Sequence, residues 1–500
     1  MANTAGEAAG IPAPQAPVTT AAGDMAASTE TYAAEGTIPA RVPTAFNPVT
    51  DTSTDALSTF AMDVDTGSYT LARGSLDAGV IPDPQTVRTE EFVNAFEQDY
   101  DQPADGPFAV TIDGASAPFL PAGSRVVRVG IQGLAVDDAD RKDANLTFVI
   151  DISGSMADPG KLDAIRPALH ELVESLRPTD QVGIVVYSDS TRALLPPTSV
   201  SDRSAIDVAI QSLQPEGSTS VEAGLRLGYE EAQRTLDRER INRVVLLSDG
   251  VANVGATGPE EILSVIDDGV QHGIDLVTVG FGMGEYNDTL MEQLADQGDG
   301  FYAYVDGERE AVRLFSQDLT GTLQTIARDA KVQVEFNPAT VRSYRLVGFE
   351  NRAVADADFR NDAVDGGEVG AGHTVTALYE VSMQEGAGGG DGDWLARATI
   401  RWQHPETRAP SELAAELGIA DVHTIISDAS LRLQQDVYVA AFAESLAGKG
   451  VAVGGWDGLM SLEALSVNLH SLAERTGDAK VAEVANMVDA RMALGGSASD

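Results

Sequence analysis

Cysteine is absent from all 500 residues. Disulfides, thiolate metal sites and a cysteine nucleophile are therefore excluded. Lysine is nearly as scarce, with five among 33 basic residues, the rest being arginine. Against these stand 77 acids, giving a formal net charge of −44 that is spread along the chain and not gathered in one tail. Such a field repels nucleic acid and anionic membrane, so neither is an expected partner, and it raises the local concentration of divalent cations. No apolar run approaches the ~20 residues of a transmembrane helix. The opening Met-Ala-Asn-Thr-Ala-Gly has no basic region and no hydrophobic segment, so it does not read as a signal peptide. The six histidines are scattered without ligand spacing, and no Ser-x-x-Lys or Gly-x-Ser-x-Gly motif occurs.

What the chain does have is core-forming material, 43% hydrophobic, and length for roughly two to four domains. Its most informative stretch is Asn145-Leu-Thr-Phe-Val-Ile-Asp-Ile-Ser-Gly-Ser-Met156. The apolar run from Leu146 to Ile150 suits a buried parallel strand. It delivers Asp151, Ser153 and Ser155 in one turn at the strand's carboxyl end, where open α/β sheets place ligands. One carboxylate and two hydroxyls form half an oxygen shell for a hard cation such as Mg²⁺. Candidates for the other half lie downstream. Gly217-Ser-Thr-Ser220 opens a helical pattern through Val221 and Leu225, and the run Val244–Leu247 ends at Ser248-Asp249-Gly250.

Composition shifts divide the chain. Residues 1–54, rich in Ala, Pro, Thr and Gly, read as a disordered tether of the kind that often follows a membrane anchor. Residues 55–143 form an N-terminal module, with helical patterns at Tyr69–Leu76 and Val87–Phe96 and strand patterns at Phe108–Ile112 and Val126–Ile131. Residues 144–328 alternate strand and helix in the manner of a doubly wound sheet. Buried strands are expected at Val182–Tyr187, Val244–Leu247 and Ile274–Val279. A first helix is kinked or late-starting at Pro167, and a last one is predicted over about Glu308–Ala327. Residues 329–410 return to strand patterns, at Val332–Phe336, Val341–Val347, Val375–Val381 and Ala396–Trp402. Residues 411–500 read as mostly helical, with Gly454 and Gly455 as a break.

An Asp-x-Ser-x-Ser, a lone Thr and a strand-end Asp, in that order, resemble the metal-ion-dependent adhesion site of von Willebrand factor type A domains. The resemblance implies that Asp151, Ser153, Ser155, Thr219 and Asp249 hold Mg²⁺, with Mn²⁺ or Ca²⁺ as alternatives. It implies direct contacts from the serines and at times Thr219, with Asp151 and Asp249 acting from just outside. It also implies capture of an Asp or Glu from a protein partner, which is binding without bond breaking. The flanks Phe60-Ala-Met-Asp-Val-Asp-Thr-Gly-Ser-Tyr69, Val347-Gly-Phe-Glu-Asn-Arg352 and Gly370-Ala-Gly-His-Thr-Val-Thr-Ala-Leu-Tyr-Glu380 resemble a bacterial family. In it the type A domain sits between an N-terminal type-A-associated domain and a C-terminal domain of unknown function. Members are commonly exported or lipid-anchored, which implies the cell envelope; a cytoplasmic location is the alternative, given this N-terminus. In a type A domain the chain enters and leaves at one pole. The expected fold class is therefore α/β: a doubly wound, mostly parallel sheet inserted into a β-sandwich made by 107–132 and 330–404, followed by a helical C-terminal region.

Other motifs compete. Asp65-Thr-Gly-Ser68 matches the Asp-Thr-Gly-Ser of aspartic peptidases, which need a second such loop because two carboxylates share a proton; this chain has none. Asp63-Val-Asp65-Thr66 approaches a phosphatase Asp-x-Asp-x-Thr with the Thr one residue early. A hydrolase using Asp63 and Asp65 is thus the minor alternative, helix capping is the plainer one, and a subsidiary metal site at Asp63, Asp65 and Ser68 is a third. The type A motifs have plain versions too, as turn residues bonding their own backbone or as a scaffold whose metal is purely structural. His373 is expected to be structural, and Gly388-Gly-Gly-Asp-Gly-Asp393 a hairpin loop.

Overall fold

Apolar runs without alternation become fully buried strands in the computed structural model, which describes residues 46–62, 65–117, 120–121, 123–217, 220–250, 259–282, 285–318, 323–364, 366–387, 393–448 and 460–496. Of the tether expected over 1–54, residues up to 45 lie outside the described residues, as do the Gly454–Gly455 break and residues 388–392 of the predicted hairpin loop. The end of that stretch is not a tether, since Thr50–Asp51 pairs with Val341–Val347 and Asn47 and Thr52 bond the same strand and its turn.

The strands Ala144–Asp151 and Ile241–Ser248 are buried at every position. They lie side by side in a six-stranded sheet ordered Tyr302–Val305, Asp275–Phe281, Ile241–Ser248, Ala144–Asp151, Gln181–Tyr187, Thr191–Ser199. All neighbours run parallel except the last pair. Side chains alternate between two layers, as the strand period of two requires. Leu146, Phe148 and Ile150 enter one core with the helix Leu162–Ser175. Val149, Val185 and Tyr187 enter the other with the helix Val221–Gln233. This is the doubly wound arrangement. The antiparallel edge Thr191–Ser199 carries Pro196 and Pro197, which an edge tolerates and which discourage further pairing. The first helix does not wait for Pro167: it starts at Leu162 and keeps the proline inside, where one backbone donor is lost.

The segments on either side of this sheet join each other. One sheet runs Thr50–Asp51, Val341–Val347, Thr374–Met383, Ser124–Gly133, Phe108–Ala115. Its central pairing runs from Ser124 opposite Ser382 to Gln132 opposite Thr374. A second sheet runs Gly367–Gly370, Thr325–Phe336, Trp394–Gln403, Pro410–Gly418, and Leu57–Ala61 also pairs with Thr325–Phe336. Val127, Val129 and Ile131 of the first face Val332, Val334, Ala398 and Ile400 of the second across one core. The α/β sheet is thus inserted in a β-sandwich.

Two helical expectations are corrected here. The last helix of the inserted sheet spans only Glu308–Arg313, with a π-helical turn at Leu314–Asp318. By Thr325 the chain is already a sandwich strand. Ile326 and Ala327, at the end of the predicted helix, serve the sandwich core instead. Pro410–Gly418 (Pro-Ser-Glu-Leu-Ala-Ala-Glu-Leu-Gly) is a strand in the region read as mostly helical. Its helix-favouring residues are overridden by pairing with Trp394–Gln403, in which Arg397 faces Glu416 and Arg401 faces Glu412.

The C-terminal helices Leu431–Leu446, Leu462–Thr476 and Ala479–Gly496 share a fourth core with the N-terminal helices Gly67–Asp77 and Thr89–Asn94. Tyr69 stands edge-on to Phe92 and Phe96 within it. Arginine fastens these parts to the inserted sheet. Arg73 meets Asp306, Glu310 and Glu483. Arg88 meets Glu292, and Arg352 meets Asp65, Glu292 and Asp296. Arg328 joins Asp275 and Asp299. Such paired, partly buried sites favour the planar guanidinium over an ammonium. No helix among the described residues is long and apolar enough to cross a membrane.

Candidate metal centre

The strand Ala144–Asp151 lies between its sequence successor Gln181–Tyr187 and the later Ile241–Ser248, the point where strand order reverses and ligands of open α/β sheets bind. Asp151 ends that strand with no solvent exposure. Its Oδ1 accepts the Ser153 backbone N–H at 2.8 Å. Its Oδ2 lies 3.0 Å from Ser248 Oγ, whose single proton is shared with the Gly250 carbonyl at 2.8 Å. Burial pushes the Asp151 carboxyl above the usual range, aided by the nearby Asp249 charge and opposed by the Ser153 and Ser248 hydrogen bonds. The Tyr187 hydroxyl is buried against the same groups, and burial with the nearby Asp151 charge pushes its pKa well up.

Beyond Asp151 the chain turns through a 3₁₀ segment, Gly154–Ala157, anchored by buried Met156. The turn leaves Ser153 buried and Ser155 exposed, with their Oγ atoms 3.1 Å apart. A second loop is docked against it: Gly154 N–H donates to the Gly217 carbonyl at 3.1 Å, and Glu216 N–H to the Ile152 carbonyl at 2.5 Å. Gly217 has a φ of +71°, and a Cβ there would lie 2.6 Å from Asp189 Oδ2, so only glycine fits. Ser218 and Thr219, which follow, lie outside the described residues. Asp249 follows the neighbouring strand with its side chain 6% exposed, and its Oδ2 accepts a hydrogen bond from Lys161 Nζ at 2.8 Å.

These oxygens suit a hard cation. Two carboxylates and two hydroxyls gather at one loop cluster, and a cation, the Lys161 ammonium, already lies against one of the carboxylates. Among the described residues no three His, Cys, Asp or Glu side chains converge as a metal cluster, so an ion here depends on the serine hydroxyls.

The chain matches the von Willebrand factor type A domain family over 145–317. Residues 43–128 match a family described as von Willebrand factor, and 321–456 the C-terminal region of uncharacterized protein YfbK. Uncharacterized protein YfbK of Escherichia coli (strain K12) is 36% identical over 425 residues, 80% of this chain and 73% of that protein. The chain belongs to the YfbK family of von Willebrand factor type A proteins. The stretch 60–69 lies within the match over 43–128, and the stretches 347–352 and 370–380 within the match over 321–456. The human inter-alpha-trypsin inhibitor heavy chain H3 is 25% identical over 261 residues, 48% of this chain but 29% of that one. A solved von Willebrand factor type A protein from Catenulispora acidiphila aligns over 76% of this chain and 89% of its own, with 17% identity and a TM-score of 0.40.

In this YfbK-family chain the other motif residues serve packing. Asp65 is buried; its Oδ1 accepts the Tyr302 backbone N–H at 3.0 Å and its Oδ2 pairs with Arg352 at 3.3 Å. Ser68 donates its N–H to Glu91 and its hydroxyl to the Thr86 carbonyl, and accepts the Arg88 N–H. The oxygens of Asp65 and Ser68 are thus taken up by separate structural partners, and Asp63 lies outside the described residues. The helix Gly67–Asp77 begins inside the Asp-Thr-Gly-Ser motif, at its glycine, with no side-chain cap from Thr66. His373 stands edge-on to Phe301 at the join of sandwich and inserted sheet, and burial, with Arg243 nearby, holds its pKa down to about 4. Sequence reasoning missed Ser248, Tyr187 and above all Lys161. The signal for Lys161 was its rarity and its place six residues after Ser155.

Proposed function

We propose that this chain is a metal-dependent protein-binding module. Asp151, Ser153, Ser155, Thr219 and Asp249 hold a divalent cation, Mg²⁺ before Mn²⁺ or Ca²⁺, and a partner protein presents an Asp or Glu to it. The observation that carries the reading is the desolvated Asp151 at the switch point of a type A sheet, with two serine hydroxyls 3.1 Å apart in the turn beside it. When bound, the ion supplies an electrophilic position for an anionic oxygen. The protein's part is orientation. Ser153 N–H and Ser248 Oγ fix the Asp151 carboxylate, and Met156 pins the turn bearing the serines. Membership of the type A family supports protein interaction as the outcome. Nothing in the arrangement calls for bond breaking.

The test is calorimetry of the full chain with Mg²⁺, Mn²⁺ and Ca²⁺, comparing wild type with Asp151→Ala and the near-isosteric Asp151→Asn. Uptake by wild type, lost in both variants while their circular dichroism is unchanged, is the expected result. Loss of the fold on stripping the metal would favour a structural ion. No heat with any of the three ions would refute the metal centre. Affinity capture from the source cell, with Mg²⁺ and then with chelator, reads the partner.

A further inference from the structure

Lys161 holds an unusual place for a lysine in this chain. Its Nζ lies 2.8 Å from Asp249 Oδ2, 3.1 Å from the Ser155 carbonyl oxygen and 3.2 Å from Asp158 Oδ2. Two of those oxygens belong to residues of the metal centre. The side chain is 12% exposed, and its stem has a built path. Gly282, at the end of the strand Asp275–Phe281, has a φ of +57°, and a Cβ there would lie 3.0 Å from Lys161 Cε. A side chain at 282 would push the stem away from the site. The ammonium is thus placed by packing on both sides and is not a surface lysine that happens to reach an acid.

The charges give this placement a consequence. Asp151 and Asp249 bring two largely desolvated negative charges and Lys161 one positive, while Asp158, the third carboxylate beside the ammonium, is 70% exposed and screened by water. A divalent ion would balance Asp151 and Asp249 alone, so an ammonium retained beside it adds an uncompensated positive charge to the buried part of the cluster. Like charges in a partly desolvated site repel more strongly than in water. We propose that Lys161 is a tethered counter-ion that competes with the divalent cation for Asp249, so that the centre loads only when free Mg²⁺ is high enough to displace it. Without the ion, the same contact keeps Asp249 paired and the loop in place. Lys161 is therefore a positioning residue for Asp249 and a brake on metal affinity.

This inference rests on the metal centre proposed above, and one titration series separates the two. Mg²⁺ is titrated into the full chain as wild type, Lys161→Met and Lys161→Arg, with thermal melting of each metal-free protein as the folding control. Methionine keeps the stem and removes the charge, and arginine keeps the charge. The expected result is Mg²⁺ binding about tenfold tighter in Lys161→Met, the change that ~1.4 kcal/mol represents, and near wild type in Lys161→Arg. Should Lys161→Met fail to fold, Lys161→Gln is read in its place with the same expectation. Wild-type binding that the neutral variants leave unchanged or weaken overturns the counter-ion role and leaves the metal centre standing. No uptake by wild type or any variant overturns both.

Discussion

Replacing Arg73 with methionine removes one buried cation from three carboxylates that belong to other parts of the chain. Arg73 is on the N-terminal helix Gly67–Asp77, with its side chain 5% exposed. Its guanidinium lies 2.8 Å from Asp306 and 3.0 Å from Glu310, both of the inserted domain, and 3.1 Å from Glu483 of the last helix. Burial works against its charge, yet Asp306, Glu310 and Glu483 together raise its pKa. The three acids respond differently. Burial raises the Glu310 pKa less than Arg313 and Arg73 lower it, so it falls to about 2, whereas burial wins at Asp306, which rises despite Arg73. In Arg73→Met, Glu310 keeps Arg313 and Glu483 keeps Arg309, so Asp306 is the charge left exposed to the penalty. Removing one partner of a buried pair costs ~3–5 kcal/mol; with two acids still paired, the lower end, ~3 kcal/mol, is expected. Urea unfolding at neutral pH reads the total. Hydrogen exchange reads the place, with protection falling in Glu308–Arg313 and Ala479–Gly496 together. Adding Asp306→Asn should restore most of the loss, because the stranded charge is gone. The wild-type acid limb should carry the Glu310 signature. Its folded pKa is depressed, so its contribution is present above about 4.5 and disappears as pH falls toward 2. A single variant within about 0.5 kcal/mol of wild type, the range of an ordinary surface change, or a double variant with no recovery, would refute the idea that this cluster locks the modules together.

Two further outcomes follow from buried or strained positions. His373 has a folded pKa of about 4 from burial and from Arg243, below the ~6.5 of an unfolded histidine, so the unfolded chain takes the proton first. Its contribution is full above pH ~6.5 and drains away as pH drops toward 4, by at most ~3 kcal/mol. His373→Gln should flatten stability over that window, and an unchanged pH slope in urea titrations would contradict this. Gly217→Ala forces alanine into a left-handed φ with its Cβ against Asp189, a cost of ~1–3 kcal/mol. Since the Gly217 carbonyl holds Gly154 N–H, Mg²⁺ uptake should weaken in parallel. Melting and calorimetry indistinguishable from wild type would show that the loop tolerates the side chain.

The inserted sheet was readable because parallel strands buried on both faces appear as plain apolar runs, and Leu146–Ile150 and Val244–Leu247 are such runs. That Asp151, Ser153, Ser155 and Asp249 would gather at the carboxyl edge of the sheet was readable because they follow the ends of those two runs. Two edge strands were not. Thr191–Ser199 is proline-bearing, mostly part-exposed and without strand alternation. Pro410–Gly418 is exposed over most of its length, so its composition answers to local propensity while its partner decides its shape. The Glu308–Ala327 helix failed for a related reason, since apolar residues at a boundary belong to whichever core receives them. The arginine contacts were out of reach altogether: Arg73 and Glu483 are separated by 410 positions, and no local pattern announces such a pair. Lys161 lay between these cases, visible as a rarity but not as a neighbour of Asp249.

The nine residue pairs between Ser124–Gly133 and Thr374–Met383 impose an order on synthesis. When the earlier strand leaves the ribosome, its companion is some 250 residues from being made, and one flank of it stays unpaired while the contiguous type A segment completes itself. Chains cut just after that segment would keep this open flank permanently, and such flanks invite pairing with other molecules. All strands of the inserted sheet have thus been made before the frame that holds it can close, which waits for the second half of the polypeptide.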